Sequence, residues 1–498
     1  MNQKRRHAPD SCLPCTDRID LQRKTAHLGY LFFAAAFLLG LVACSPFTPR
    51  EIPDAAGDLP ETYTLYNGHT DLSSPWWESV GSDELNRLIS QALAENFTLK
   101  EAWARLKQSR ALAVQAGADR FPRLDGVASA DLTQRHTSSN KGADGDDTYM
   151  LGLISSYELD LWGRIRSQQE AALNTMAATN ADFQTAKITI AAEVANRWVQ
   201  ILSQRLQKQL LERQLENNLI FLDLIELRFR KAMVSALDVY QQKQVVENVR
   251  ARIPLVEAQT QLLSHELAVL LGRPPRTELA MEQKTLPEIG QLPAVGLPAD
   301  LLANRPDVRA AGMRLKVAQW QVAAARANRL PAIQLSAGAQ YGVSHLDLLF
   351  DTWLLNLAAN LTAPLFDGGR RAAEVDRTQA QADENLWTYR QAVLTAVKEV
   401  EDALESETRQ REHINGLESV MAAARRGLEE AIQRYRRGLS DYLPVLTQLI
   451  AVQDLERDLI QQQEALIRYR IALHRSLGGA WIEAAESSAG PTQQHQRG

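Results

Sequence analysis

From Gln168 to Leu271 the chain has no glycine and a single proline, Pro254, while Leu202, Leu206, Leu210, Leu215, Leu219, Leu222 and Phe229 recur at helical spacing. The pattern predicts one continuous helix over Arg164–Lys231. At about 1.5 Å per residue it would reach about 100 Å. Arg370–Arg437 reads as a second helix of equal length, and Ser235–Leu271 and Asp441–Leu477 read as return helices. Each return is entered through a short break, Ala232-Met233-Val234 or Gly438-Leu439-Ser440. Helices this long need coiled-coil neighbours rather than an ordinary globular core. Ahead of each long helix the period drops to two. Ile333, Leu335, Ala337, Ala339, Tyr341 and Val343 alternate with polar or small residues, and Trp353–Leu361 does so in part. Leu124–Gln134 and Thr148–Leu161, joined by the polar loop Arg135–Asp147, are their counterparts. Gly163 and Gly368-Gly369 stand where strand gives way to helix.

The chain repeats itself. Arg105-Leu106-Lys107 matches Arg314-Leu315-Lys316, and Arg120-Phe121-Pro122 matches Arg329-Leu330-Pro331, both at an offset of 209. Arg228–Lys231 against Arg434–Arg437, Leu237-Asp238-Val239 against Leu443-Pro444-Val445, and Leu271-Gly272 against Leu477-Gly478 follow at 206. The fold class is therefore mixed and mainly α: two tandem copies, each with very long helices and two strands. Amphipathic strands of about 10 residues carry the signature of a transmembrane β-barrel. Four strands cannot close one, because about eight is the smallest number known. The barrel reading thus requires an oligomer, with two chains supplying eight strands or three supplying twelve.

The amino-terminus adds an address. Leu28–Ala43 is an uncharged apolar run preceded by Arg23, Lys24 and His27, which fits a signal-peptide core better than a membrane span of about 20 residues. It ends Leu41-Val42-Ala43-Cys44-Ser45, which resembles a bacterial lipoprotein lipobox; the resemblance implies that Cys44 carries lipid, and Ser45 implies sorting to the outer membrane. The formal charge of -5 conceals +3 over residues 1–43 and hence -8 for the rest, which argues against nucleic acid as a partner. Cys12 and Cys15 fall in the leader, so no disulfide framework remains in the mature chain. A hydrophobic content of 45% with 23% charged residues belongs to a folded chain.

Pro75-Trp76-Trp77-Glu78, followed by Leu85-Asn86-Arg87-Leu88-Ile89 and Ala92–Asn96, resembles the amino-terminal signature of outer-membrane efflux proteins, the TolC-like channel-tunnels, in their lipoprotein branch. Asn304-Arg305-Pro306-Asp307 resembles that branch's Arg-Arg-Pro-Asp, with Asn304 the departure. Read physically, Pro306 suits the first turn of a helix and Asp307 its positive end, so the motif is a folding signal. The resemblance covers residues 40–482. It implies a homotrimer with a shared 12-stranded barrel and a helical tunnel in the periplasm, served by a periplasmic adaptor and an inner-membrane resistance-nodulation-division pump, with no cofactor. It divides the chain into a signal peptide (1–43), a lipidated segment (44–81), a first repeat (82–272), a linker (273–297), a second repeat (298–478) and a tail (479–498). It also places the gate and adaptor-docking tip at the paired turns: Lys231, Ala232, Val234, Ser235 and Asp238 in one copy, Tyr435, Gly438, Leu439, Ser440 and Leu443 in the other, with Asp441 added as an acidic neighbour rather than a match to the family's motif. Where the family often has aspartates after the turn, this chain has Pro444 and Thr447. Arg434, Arg436 and Arg437 crowd the second turn, and the expectation is a closed tip held by Leu443 packing and by pairing to Asp238 or Asp441.

No chemistry of bond-making is visible. The nine histidines include no His-Glu-x-x-His pair, and neither a nucleophile elbow nor a Walker lysine occurs, so a metal site, an enzyme and a nucleotide site all lack a foothold. The acidic cluster Glu399, Glu401, Asp402, Glu405 and Glu407 reads as a solvated or lumen face. Aromatics at strand ends, Trp162, Trp353 and Phe366, fit an interfacial girdle or ordinary packing. The leading reading is a passive exit duct for small molecules, drugs among them. The competing ones are a conduit for an ATP-driven protein exporter and a coiled-coil envelope tether, the last disfavoured by the strands.

Overall fold

The computed structural model describes residues 47–48, 59–60, 62–64, 76–135, 144–290, 292, 298–345 and 348–478. Cys44 and the leader lie outside them. The elements are α1 (Asp83–Glu95), α2 (Phe97–Ala118), β1 (Arg123–Arg135), β2 (Asp144–Leu159), α3 (Arg164–Arg230), α4 (Ala236–Leu270), α5 (Pro306–Ala327), β3 (Ala332–Val343), β4 (Trp353–Thr362), α6 (Arg370–Arg436) and α7 (Leu443–Ser476). Both long helices contain 67 residues. Helix α7 starts two residues later than expected. Pro444 sits in its first turn, where the fixed φ and missing N–H do no harm, and the break widens to Tyr442. The expected loop Arg135–Asp147 is shorter than its polarity suggested, because the ladder continues through Thr133↔Asp146 to Arg135↔Asp144.

The described residues fall into two compact units. One draws on Ala116–Glu170 and Gln319–Gln379, the other on Glu51–Gln115, Ala171–Ala318 and Ala380–Gly498. The first holds an antiparallel sheet in the order β1-β2-β3-β4, with the two repeats meeting at β2–β3. Its register decides what each face is. Gly126, Leu153, Ala339 and Leu355 line up across the four strands, as do Ala128, Leu151, Tyr341 and Trp353, so the apolar residues share one face. The opposite face carries Asp125, Asp131, Gln340, Asn356 and Asn360. Among the described residues β1 and β4 each pair on one side only. Of the three aromatics at strand ends, Trp353 and Phe366 are exposed, whereas Trp162 donates its indole N–H to the Pro331 carbonyl at 2.6 Å.

In the second unit α1, α3 and α4 enclose Leu85, Ile89, Trp198, Ile201, Leu202, Leu267 and Leu271, and a parallel cluster of the second repeat gathers Val308, Val393, Val400, Leu404, Leu473 and Leu477. Each such apolar side chain contributes about 1.5–3 kcal/mol when fully buried. The repeats close in the same way. Asn96 donates to the Leu270 carbonyl at 2.8 Å, and its repeat-equivalent Arg305 donates at 3.1 Å to the carbonyl of Ser476, the equivalent of Leu270. Each return helix then ends in a glycine at positive φ against the other end of its repeat: a Cβ on Gly272 would lie 2.6 Å from the Glu95 carbonyl oxygen, and one on Gly478 2.7 Å from that of Asn304.

Helix α5 begins at Pro306, as the motif predicts. Arg305 is the centre of a clamp, donating to both Asp307 oxygens at 3.0 and 2.6 Å and pairing with Glu399 at 2.8 Å. The acidic cluster on α6 departs only in part from the expectation of a solvated or lumen face, since Asp402 and Glu405 are exposed. Glu407 is fully buried, gripped by Arg411 at 2.9 Å and Arg470 at 2.5 Å, and Glu401 accepts from Thr64. Sequence spacing alone scattered these carboxylates around the cylinder; Arg411 and Arg470 close over Glu407 and also donate to the Gly290 carbonyl.

Candidate functional site: the paired helical turns

The two long hairpins turn by the same backbone device. In the first, Met233 N–H donates to the Arg228 carbonyl at 2.9 Å; in the second, Leu439 N–H donates to the Arg434 carbonyl at 2.9 Å. Both enclose one left-handed residue, Ala232 at φ 54° and Gly438 at φ 71°, at equivalent points of the two repeats. This six-to-one bond needs positive φ, which glycine adopts freely and alanine does at a cost of about 1–2 kcal/mol. The caps diverge. Ser235 and Asp238 form a capping box on α4: the Asp238 carboxylate accepts from the Ser235 N–H at 2.9 Å and hydroxyl at 2.7 Å, while the Asp238 N–H donates to Ser235 Oγ at 3.3 Å. Helix α7 has no side-chain cap.

Between the turns lies an apolar cluster of Ile225, Ala431, Tyr435, Tyr442, Val445 and Leu446, with Phe221, Val234 and Val239 against it. The rings of Tyr435 and Tyr442 are 5.4 Å apart, and the Arg228 guanidinium lies 4.5 Å from the Tyr435 ring centre, a cation–π contact. Burial pushes the Tyr442 hydroxyl well above the usual tyrosine range, with Tyr435 and Asp238 reinforcing it, so this residue is a neutral donor at any physiological pH. The structure thus brings Val234, Tyr435 and the Asp238 cap to one place. Lys231, Ala232, Ser235, Gly438, Leu439, Asp441 and Leu443 are exposed around it, together with Met233 and Leu237. Leu443 is 53% exposed and joins no apolar cluster among the described residues, and among these residues no ion pair involves Asp238 or Asp441; Asp238 is held by Ser235 instead. A ladder of buried glutamines and asparagines behind the cluster was not singled out by the sequence. Its signal was present, since Gln207, Gln214 and Asn218 recur in phase with the leucines of α3.

At the turns the hydroxyl that lies beside a carboxylate, Ser235 against Asp238, is taken up by the α4 cap. Among the described residues no cluster of His, Cys, Asp or Glu could hold a metal, and no helix is long and apolar enough to cross a membrane. The sequence profile of outer membrane efflux proteins matches residues 88–273 and 297–479, one match per repeat. The chain belongs to the outer membrane efflux protein family. It is 33% identical to the pyoverdine export outer membrane protein OpmQ of Pseudomonas aeruginosa over 90% of this chain and 96% of that protein. It is 32% identical to the solvent efflux pump outer membrane protein SrpC of Pseudomonas putida, over 80% and 85% of the two chains. Among solved structures the outer-membrane channel OprN superposes with a TM-score of 0.81 at 29% identity, covering 88% of this chain and all of that one. VceC of Vibrio cholerae does so at 0.77 and 29%, covering 82% of this chain and all of VceC. This efflux protein therefore has the fold of these outer-membrane channels, and the four strands with two long hairpins expected from the sequence are those of its family.

Proposed function

We propose that this efflux protein is the passive exit duct of a tripartite system. Three copies close their sheets into one 12-stranded barrel in the outer membrane, and their hairpins form a periplasmic tunnel. A periplasmic adaptor docks at the paired turns, and an inner-membrane resistance-nodulation-division pump supplies the energy. The observation that carries the reading is the sheet: an apolar face continuous over four strands, with both edges unpaired among the described residues. Such a sheet is stable in lipid only when its edges are satisfied by other copies. Helical turns of matching geometry at equivalent points of both repeats supply the six-fold pseudo-symmetric end that a tunnel gate and an adaptor need. The cargoes named for the relatives, pyoverdine and solvent, favour compounds over the alternative protein-secretion conduit. Cys44, lipidated, would add a modest anchor to the barrel.

Light scattering on detergent-extracted protein should give three chains per particle, and planar bilayers should show discrete channels. A monomer with a complete barrel would overturn the assembly. Mass spectrometry of the mature amino-terminus should find a diacylated Cys44 and no residues 1–43. Co-expression with candidate pump and adaptor should lower the accumulation of a fluorescent dye; export of a polypeptide instead would favour the conduit.

A further inference from the structure

Between α3 and α7, at the seam of the two repeats, the wall opens into a cleft of about 300 Å³. It is lined by Glu193 and Asn196 of α3 and by Arg468, Tyr469, Ala472 and Arg475 of α7. That volume is at the lower end of small-molecule sites. Helical periodicity sets the direction in which it opens. Ile467 and Ile471 are buried in the core with Trp76 and Leu85, where Leu279, Met281 and Leu286 of the linker pack. Arg468, Ala472 and Arg475 stand roughly 100° further round the helix from these, and both arginines are exposed.

The charges of the cleft do not cancel. Glu193 is answered by Arg197 at 3.5 Å, which also holds Glu266 at 2.5 Å. Arg468 has Glu464 at 3.6 Å, beyond hydrogen-bond reach, and among the described residues no ion pair involves Arg475. Asn196 Oδ1 is buried without a donor. The place of Arg475 in the last turn of α7 suits the negative helix end, which accounts for its charge but for neither the cleft nor Arg468. The two guanidiniums are carried on one face of α7, their positions about 10 Å apart along the axis, with Tyr469 and Ala472 between them. That spacing is too wide for a simple ion and fits an anion with an apolar body.

We propose that this cleft is a subsite for anionic cargo: a carboxylate of ring size or larger, its charge held by Arg475 and Arg468 and its hydroxyl or N–H accepted by Asn196 Oδ1. The proposal rests on reading the chain as an exit duct. A duct must keep its bore free of folded segments, so the side covered by the linker is the outer one and the uncovered side, on which the cleft opens, faces the bore. Guanidinium forks match carboxylates in shape, which selects this anion over a spherical one. Exposed charge pairs bind weakly, as a cargo that has to leave requires. The subsite gives the duct a charge preference of its own.

The test is equilibrium binding of fluorescein, an aromatic carboxylate, to detergent-extracted trimers, read as fluorescence anisotropy against empty micelles. Wild type should bind saturably with a dissociation constant of about 0.1 mM. Salicylate should displace the dye, whereas salicylamide, of the same shape and uncharged, should not. Arg475→Gln and Arg468→Gln should each weaken binding about tenfold. Arg213→Gln, at an exposed position of α3 well away from the cleft, should leave it at wild type. Each variant is compared at wild-type helicity and chain count; where one fails that check, salicylate against salicylamide on the wild type decides. No saturable binding below about 1 mM, equal displacement by salicylamide, equally tight binding of the cationic dye rhodamine 123, or Arg213→Gln as damaging as Arg475→Gln would each overturn the subsite. The same trimers are recorded in planar bilayers. If they conduct while fluorescein binding is absent or indifferent to Arg468 and Arg475, the duct stands and the subsite alone falls. If wild-type protein forms neither trimers nor channels, the duct reading fails and the subsite goes with it.

Discussion

Removing the Arg305 guanidinium should destabilise the helical unit by an amount the structure bounds. Its side chain is only 8% exposed, and it donates to both Asp307 oxygens, to Glu399 and to the Ala396 and Ser476 carbonyls. Burial opposes charge on Asp307, yet the Arg305 hydrogen bonds and charge outweigh it and hold that carboxyl below the usual range. Breaking a wholly buried pair costs about 3–5 kcal/mol. Here the carboxylates are 42% and 34% exposed and can rehydrate, so the expected loss for Arg305→Met is about 2–3 kcal/mol. Arg305→Lys keeps the charge but loses the fork and the reach to Ser476, so it should recover no more than about half of this. Urea unfolding of detergent-solubilised protein, followed by helical circular dichroism, measures both, and a cycle with Glu399→Gln isolates the ion pair. The sign with pH follows from Asp307: its depressed folded value makes the contribution full above the unfolded value near 3.8 and lost as pH falls through the folded one. A loss below about 0.5 kcal/mol for Arg305→Met, or Arg305→Lys at wild-type stability, would refute the clamp.

Gly478→Ala, with φ at 85° and a Cβ 2.7 Å from the Asn304 oxygen, should cost more than about 2 kcal/mol in the same unfolding assay, while Gly416→Ala in open helical space should not destabilise. Ser235→Ala removes half of the α4 capping box and should cost about 1 kcal/mol, read as faster amide hydrogen exchange in the first turn of α4. His474 stacks on Trp76 with ring centres 5.4 Å apart, and burial, helped by Arg470 and opposed by Glu407, pushes it down to about 4. The unfolded chain binds that proton near 6.5, so stability should fall by up to about 3 kcal/mol as pH drops from 6.5 to 4 and no further below. His474→Phe should abolish that part of the pH dependence, and an unchanged pH profile would show that the histidine titrates normally.

Local pattern was enough to set the elements. Hydrophobic period changes from 3.6 to 2 at fixed places, the repeat offsets of 209 and 206 set equivalent positions, and Pro306, Gly438 and Ser235 punctuate the helices through backbone constraints that act within a few residues. Because such effects are short-ranged, the expected ends of the long helices fall next to the observed ones. The resemblance of the Trp76-Trp77 and Arg305-Pro306-Asp307 motifs supplied the family, and the turns with it. The partners of polar groups were settled by packing alone. Glu407 looked solvated until Arg470 and Arg411 closed on it, Asp238 looked available for an arginine until Ser235 took it, and Asn218 and Gln453, in different repeats, had no visible relation along the chain. A charged or amide side chain has no periodic signature of its own. Its role is fixed by which element lies opposite, and that follows from how two long hairpins pack in register, a property of the assembled fold and of no single window of the chain.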